Sequence, residues 1–64
     1  MLTNSRDIIR RLERDGWRLV RVNGSHHHFF RDGAKSIVTV PHPKRDIAPG
    51  TVRGIYRQAG WKKD

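Results

Sequence analysis

Trp17-Arg18-Leu19-Val20-Arg21-Val22-Asn23-Gly24-Ser25-His26-His27-His28-Phe29-Phe30-Arg31 carries two strand-like stretches on either side of one Asn-Gly pair. From Trp17 to Val22 the side chains are aromatic, β-branched or Leu with Arg interleaved, which suits a half-buried strand. Asn-Gly tolerates the positive φ of a tight type I′ turn, so the spacing predicts a hairpin whose second strand runs from about Ser25 to Arg31. Asp32-Gly33 repeats the turn chemistry, and Ser36-Ile37-Val38-Thr39-Val40 reads as a third strand. Pro41 and Pro43 cannot donate to a ladder, so that strand is expected to stop there and Pro41 to Ile47 to form a loop.

Helical signals flank this meander. Thr3, Asn4 and Ser5 are N-cap candidates, and Ile8, Ile9 and Leu12 recur at helical spacing up to Asp15, with Gly16 as the stop. Beyond the loop, Ala48-Pro49-Gly50-Thr51 opens a second helix that puts Val52, Ile55, Tyr56 and Ala59 on one face and ends at Gly60. Trp61 to Asp64 is read as a short tail. The reading is one α+β domain over residues 1–64, in αβββα order, with a three-stranded antiparallel sheet and both helices on one face. This is the order of a double-stranded-RNA-binding domain, a likeness of architecture that does not by itself assign function.

Fourteen Lys and Arg against six Asp and Glu give a formal charge of +8, spread from Arg6 to Lys63. Such a surface attracts polyanions and places nucleic acid ahead of a membrane surface, because no basic amphipathic helix with a lipid-seeking aromatic face is visible. An acidic protein partner fits the same charge. The chain has no Cys, which excludes disulfides and thiolate metal sites. No apolar run approaches the roughly 20 residues that span a bilayer, and the N-terminal residues lack a signal-peptide core, so a soluble cytoplasmic protein is expected.

The histidines carry the chemistry. Alternation along the second strand puts His26, His28 and Phe30 on one face and His27, Phe29 and Arg31 on the other. If Phe29 points into the core, His26 and His28 point out. A metal site is disfavoured, since Asp and Glu are scarce nearby and a set of His ligands alone on a +8 protein repels a cation. General acid–base catalysis suits His, whose ordinary pKa of about 6.5 lets it exchange protons near neutrality. RNA supplies the matching reaction, because its 2′-hydroxyl can attack the adjacent phosphorus once deprotonated. Gly24 leaves room for a phosphate backbone and Ser25 can donate to a phosphate oxygen. Lys44 and Arg45 would stabilise charge on the phosphoryl oxygens, and His28 and His42 are candidates for a second proton transfer or for RNA contacts. The residues alone leave three readings of His26 open: catalytic, RNA-binding or structural.

The sequence resembles the HicA toxins in four segments: Leu12-Glu13-Arg14-Asp15-Gly16-Trp17, Val22 to Phe29, Val38-Thr39-Val40-Pro41-His42-Pro43, and Pro49-Gly50-Thr51-Val52 with Ile55 and Gln58-Ala59-Gly60. Their order and spacing together are specific. The resemblance implies a double-stranded-RNA-binding type of fold and an mRNA-cleaving endoribonuclease; the acid–base scheme read from the residues requires no metal or cofactor. The resemblance makes His26, the His directly after Gly-Ser, the catalytic residue. It also implies a HicB-type antitoxin partner that covers the site, and a bacterial or archaeal cytoplasm. The chain departs from the usual pattern at Phe30, where relatives often carry a basic or polar residue, and at Lys44-Arg45-Asp46, where two Lys before Asp are common. The alternative function is a non-catalytic RNA-binding module of the same fold.

Overall fold

The structure, a computed structural model, describes residues 1–64. Its elements are α1 (Ser5–Arg14), β1 (Arg18–Asn23), β2 (His26–Phe30), β3 (Val38–Pro41) and α2 (Pro49–Ala59), with the antiparallel sheet in the order β1-β2-β3. The αβββα order and α+β class are those expected from the sequence.

Asn4 caps α1, its Oδ1 accepting the Arg6 N–H at 2.9 Å. The helix then buries Ile8 and Leu12, one turn apart, and leaves its Arg residues outside. Both helices end in the same way. After α1 the Gly16 N–H donates to Glu13 and the Trp17 N–H to Leu12, and after α2 the Gly60 N–H donates to Arg57 and the Trp61 N–H to Tyr56. With both glycines at positive φ, this is the hydrogen-bond pattern of a Schellman cap. Each cap folds a Trp back onto its own helix. Trp17 is buried, and Trp61, read from sequence as tail, packs against the core with its ring 5.1 Å from that of Tyr56.

The cross-strand pairs Phe29↔Val38 and His27↔Val40 put Phe29, Val38 and Val40 on the face that meets both helices. They form one buried cluster with Ile8, Leu12, Trp17, Ile47, Val52, Ile55, Tyr56 and Ala59. Phe29, not Phe30, is therefore the core residue, and His26 and His28 fall on the opposite face.

Three local expectations shift. No residue other than glycine has positive φ, so Asn23 stays extended as the last residue of β1, opposite His26. The tight turn is Gly24-Ser25, with Gly24 at φ +56° in its first central position, the sign pattern of a II′ turn rather than I′. β3 begins at Val38 rather than Ser36, so Asp32-Gly33 opens a longer connection instead of a second tight hairpin. Pro41 is the last residue of β3, paired with His26, a position an edge strand tolerates.

Because Phe29 is 1% exposed, Phe29→Ala is expected to cost about 3–5 kcal/mol in urea denaturation, most of what so small a domain possesses. Phe30→Ala, on the other face, should cost far less. The reverse ranking would mean that the two faces of β2 are assigned the wrong way round.

Candidate functional site

Gly24, Ser25 and His26 sit exposed at the β1–β2 turn. Nothing lies within 4 Å of the position a Gly24 Cβ would take, so a ligand can approach the turn's backbone there. The Ser25 carbonyl accepts the His42 N–H at 2.7 Å, which prolongs the β2–β3 ladder by one step and ties the histidine turn to the loop after β3.

His26 lines an open cleft with Thr39, Pro41 and Lys44, whose far wall is Thr51, Gly54, Ile55 and Gln58 on and beside α2. A second cleft, lined mostly by polar and basic side chains, is formed by Asn4, Ser5 and Arg6 on one side and His42, Pro43, Lys44 and Arg45 on the other. Lys44 lines both. The structure thus brings together His26 with Lys44, and His42 with Lys44 and Arg45. His42 follows the alternation of Val40 and His27 and meets the His27 ring edge-on at 4.9 Å, so it does not project beside His26. His28 joins neither cleft: its Nδ1 is 2.9 Å from Thr39 Oγ1, and its Nε2 is buried without a partner.

The loop that carries Lys44 is fastened by a residue that sequence reading offered only as a cap candidate. Ser5 is 1% exposed, the one buried polar residue of the core region. Its Oγ accepts the Lys44 N–H at 2.9 Å and lies 2.7 Å from His42 Nδ1, while its own N–H donates to the Lys44 carbonyl at 2.9 Å. The Ile47 N–H donates to the Thr3 carbonyl at 2.8 Å and closes the lacing. A hydroxyl has a single proton to give. Buried Ser5 Oγ–H meets no acceptor other than His42 Nδ1, so it donates there and leaves the imidazole proton on Nε2. Burial lowers the His42 pKa, and the charges of His27 and Arg6 lower it further. His42 is therefore neutral at pH 7, in one tautomer. The Ser5–His42 link spans 37 residues of sequence, and no local pattern announces it.

Arg6 and Gln58 were also missed. Arg6, in the first turn of α1, borders the second cleft, which its place in the sequence does not announce. Gln58 reaches β3, its Oε1 accepting the Thr39 N–H at 3.3 Å. Nowhere do three or more His, Cys, Asp or Glu side chains come together as a metal ligand set. No helix is long and apolar enough to cross a membrane.

Among known protein families, one described as the HicA toxin of bacterial toxin-antitoxin systems matches residues 5–61 of the 64. The match begins at Ser5 and spans every strand and both helices. No curated relative matches the chain.

Ser5→Ala leaves the Lys44 N–H and His42 Nδ1 without their partner while Asn4 still caps the helix, so a loss of about 1–3 kcal/mol is expected in urea denaturation. In the same variant, ¹⁵N spectra of the His42 ring should show mixed tautomers where the parent protein shows the Nε2–H form alone. A pH dependence follows from His42 as well. Its folded pKa lies below the ordinary 6.5, so the folded state resists protonation: the contribution is intact above about pH 6.5 and is lost as pH falls through the lowered value. His42→Asn should flatten that acid limb of the stability profile, and an unchanged limb would show that another group causes it.

Proposed function

The chain belongs to the HicA toxin family, and from that premise we propose that it is a metal-independent endoribonuclease whose catalytic residue is His26 and that a HicB-type antitoxin neutralises it. The observation that carries this reading is the cleft shared by His26 and Lys44 beside the open Gly24-Ser25 turn.

His26 withdraws the proton of a 2′-hydroxyl, and the resulting oxygen attacks the adjacent phosphorus. The bond to the 5′-oxygen breaks as that oxygen takes up a proton from water, which leaves a 2′,3′-cyclic phosphate and a free 5′-hydroxyl. Lys44 stabilises the charge that builds on the phosphoryl oxygens, and the Gly24-Ser25 turn contacts the backbone through the Ser25 hydroxyl. Arg45, Arg6 and the Nε2–H of His42 hold a neighbouring phosphate in the second cleft, which makes His42 an RNA contact rather than the proton partner of His26. His28, held by Thr39, supports the sheet face beneath the strand and is not the proton partner either.

With excess chelator and a single-stranded RNA, the wild-type chain should yield products ending in cyclic phosphate, and 2′-deoxy substitution at the scissile nucleotide should stop them. His26→Ala should slow cleavage by about 10²–10⁴-fold. Lys44→Gln should lower kcat by about 10²-fold with a smaller effect on binding. Equal cleavage by His26→Ala and wild type would refute the assignment of His26. Salt-sensitive binding with no products from the folded wild-type chain would instead identify a non-catalytic RNA-binding module.

A further inference from the structure

The two edges of the sheet differ. At β3 the outer edge is engaged by α2 through Gln58 and the Thr39 N–H. At β1 the outer edge pairs with no strand: β1 is hydrogen-bonded to β2 alone, and the helices make their main sheet contacts with β3. All six residues of β1 are exposed. Of the five large apolar side chains the molecule leaves exposed, three lie on this strand, Leu19 at 49%, Val20 at 50% and Val22 at 47%. The register Leu19↔Phe29 and Val22↔His27, with a bulge between Leu19 and Arg21, makes Leu19 and Val22 a continuation of the core face beyond the reach of either helix.

A bare edge with half-exposed apolar side chains is a template for another strand. Charge decides which strand. β1 carries Arg18 and Arg21 and no acidic residue, on a chain of net charge +8. Pairing two copies through β1 would set these arginines against each other in a complex of doubled charge, so self-association is opposed. The one anion near the strand, Asp32, meets Arg18 at 3.3 Å in a pair exposed on both sides, which holds Arg18 only weakly. RNA finds its cationic clefts elsewhere and has no use for Leu19, Val20 and Val22. We propose that β1 is a docking strand for a protein partner, which adds an extended acidic segment as a fourth strand, its apolar side chains over Leu19 and Val22 and its carboxylates against Arg18 and Arg21.

The test needs no nuclease activity, so it stands or falls apart from the function proposed above. The ¹⁵N-labelled chain is titrated with a short synthetic peptide of alternating Val and Glu, with the same peptide bearing Lys in place of Glu, and with a 2′-deoxy oligonucleotide. The acidic peptide is expected to shift the amides of Arg18 to Asn23 and slow their hydrogen exchange by about tenfold, with the Lys peptide inert. Arg21→Gln should weaken acidic-peptide binding by about fivefold, and the double variant Arg18→Glu/Arg21→Glu should exchange the preference for that of the Lys peptide. Shifts confined to residues 42–45 with unchanged β1 exchange would overturn the proposal. So would β1 protection that grows with protein concentration alone, the mark of a second copy, or β1 shifts with the oligonucleotide and none with the acidic peptide. Should the double variant fail to give a folded spectrum, Arg21→Gln decides: undiminished binding of the acidic peptide sinks the charge argument.

Discussion

The alternation of β2 is the constraint on which the rest depends. This strand is paired on both sides, and Phe29 is its only residue driven fully into the core. Fixing Phe29 against Val38 fixes every other side chain of the strand by period two, because a slip of one residue would expose Phe29 and bury His28. The apolar area buried at Phe29 therefore does more than stabilise the fold. It holds His26 on the strand face opposite Phe29, next to the Gly24-Ser25 turn and at the mouth of the cleft that α2 closes on its far side. An imidazole placed this way needs no dedicated scaffold, since the register that closes the core is the register that presents it.

The second fastening is polar and lies far from the first in sequence. Ser5 sits in the first turn of α1 with its hydroxyl turned to the loop after β3, an arrangement available because Asn4 has already taken the capping role. The loop is thereby bound to the helix by hydrogen bonds to its backbone, and Lys44 is held between the two clefts without a contact to its own ammonium group. Cations on flexible stems are poor positioning devices because ordering the stem costs entropy. Anchoring the backbone at Lys44 shortens the reach the side chain must order, and the His42–Ser25 hydrogen bond does the same from the other end of the loop.

What could be read from the sequence divides along the same line. Helix and strand identities and the Gly stops after both helices follow from patterns local enough to survive as strings, period 3.6, period two and Gly at positive φ, whereas period two alone leaves Phe29 and Phe30 as alternatives that the ladder decides. The turn moved from Asn23-Gly24 to Gly24-Ser25 because either pair can supply one positive φ at Gly24, and the pairing of Asn23 with His26 is decided by the whole ladder. The later start of β3 has the same origin, since Ser36 and Ile37 satisfy a strand pattern but have no partner in β2 opposite them. At the site, His26, Gly24 and Ser25 were visible because they are contiguous. Ser5 was not, since a serine near a helix start already has an adequate local explanation. The gathering of Arg6 with Lys44 and Arg45 depends on Ser5 and was hidden with it.

Charge links these parts. Fourteen basic residues on a domain this small repel one another, and Lys44, Arg45 and Arg6 are concentrated where one cleft gathers them. The cost of that repulsion falls on the folded state, which crowds the charges more closely than the unfolded chain does. A polyanion that binds only the folded form relieves the repulsion and shifts the folding equilibrium by mass action. Phosphates in the clefts and carboxylates along β1 would act through the same electrostatic term while occupying different surfaces. On the function and docking proposed above, the chain would be least stable when free of both, and binding of either kind of anion would be coupled to folding of the domain itself.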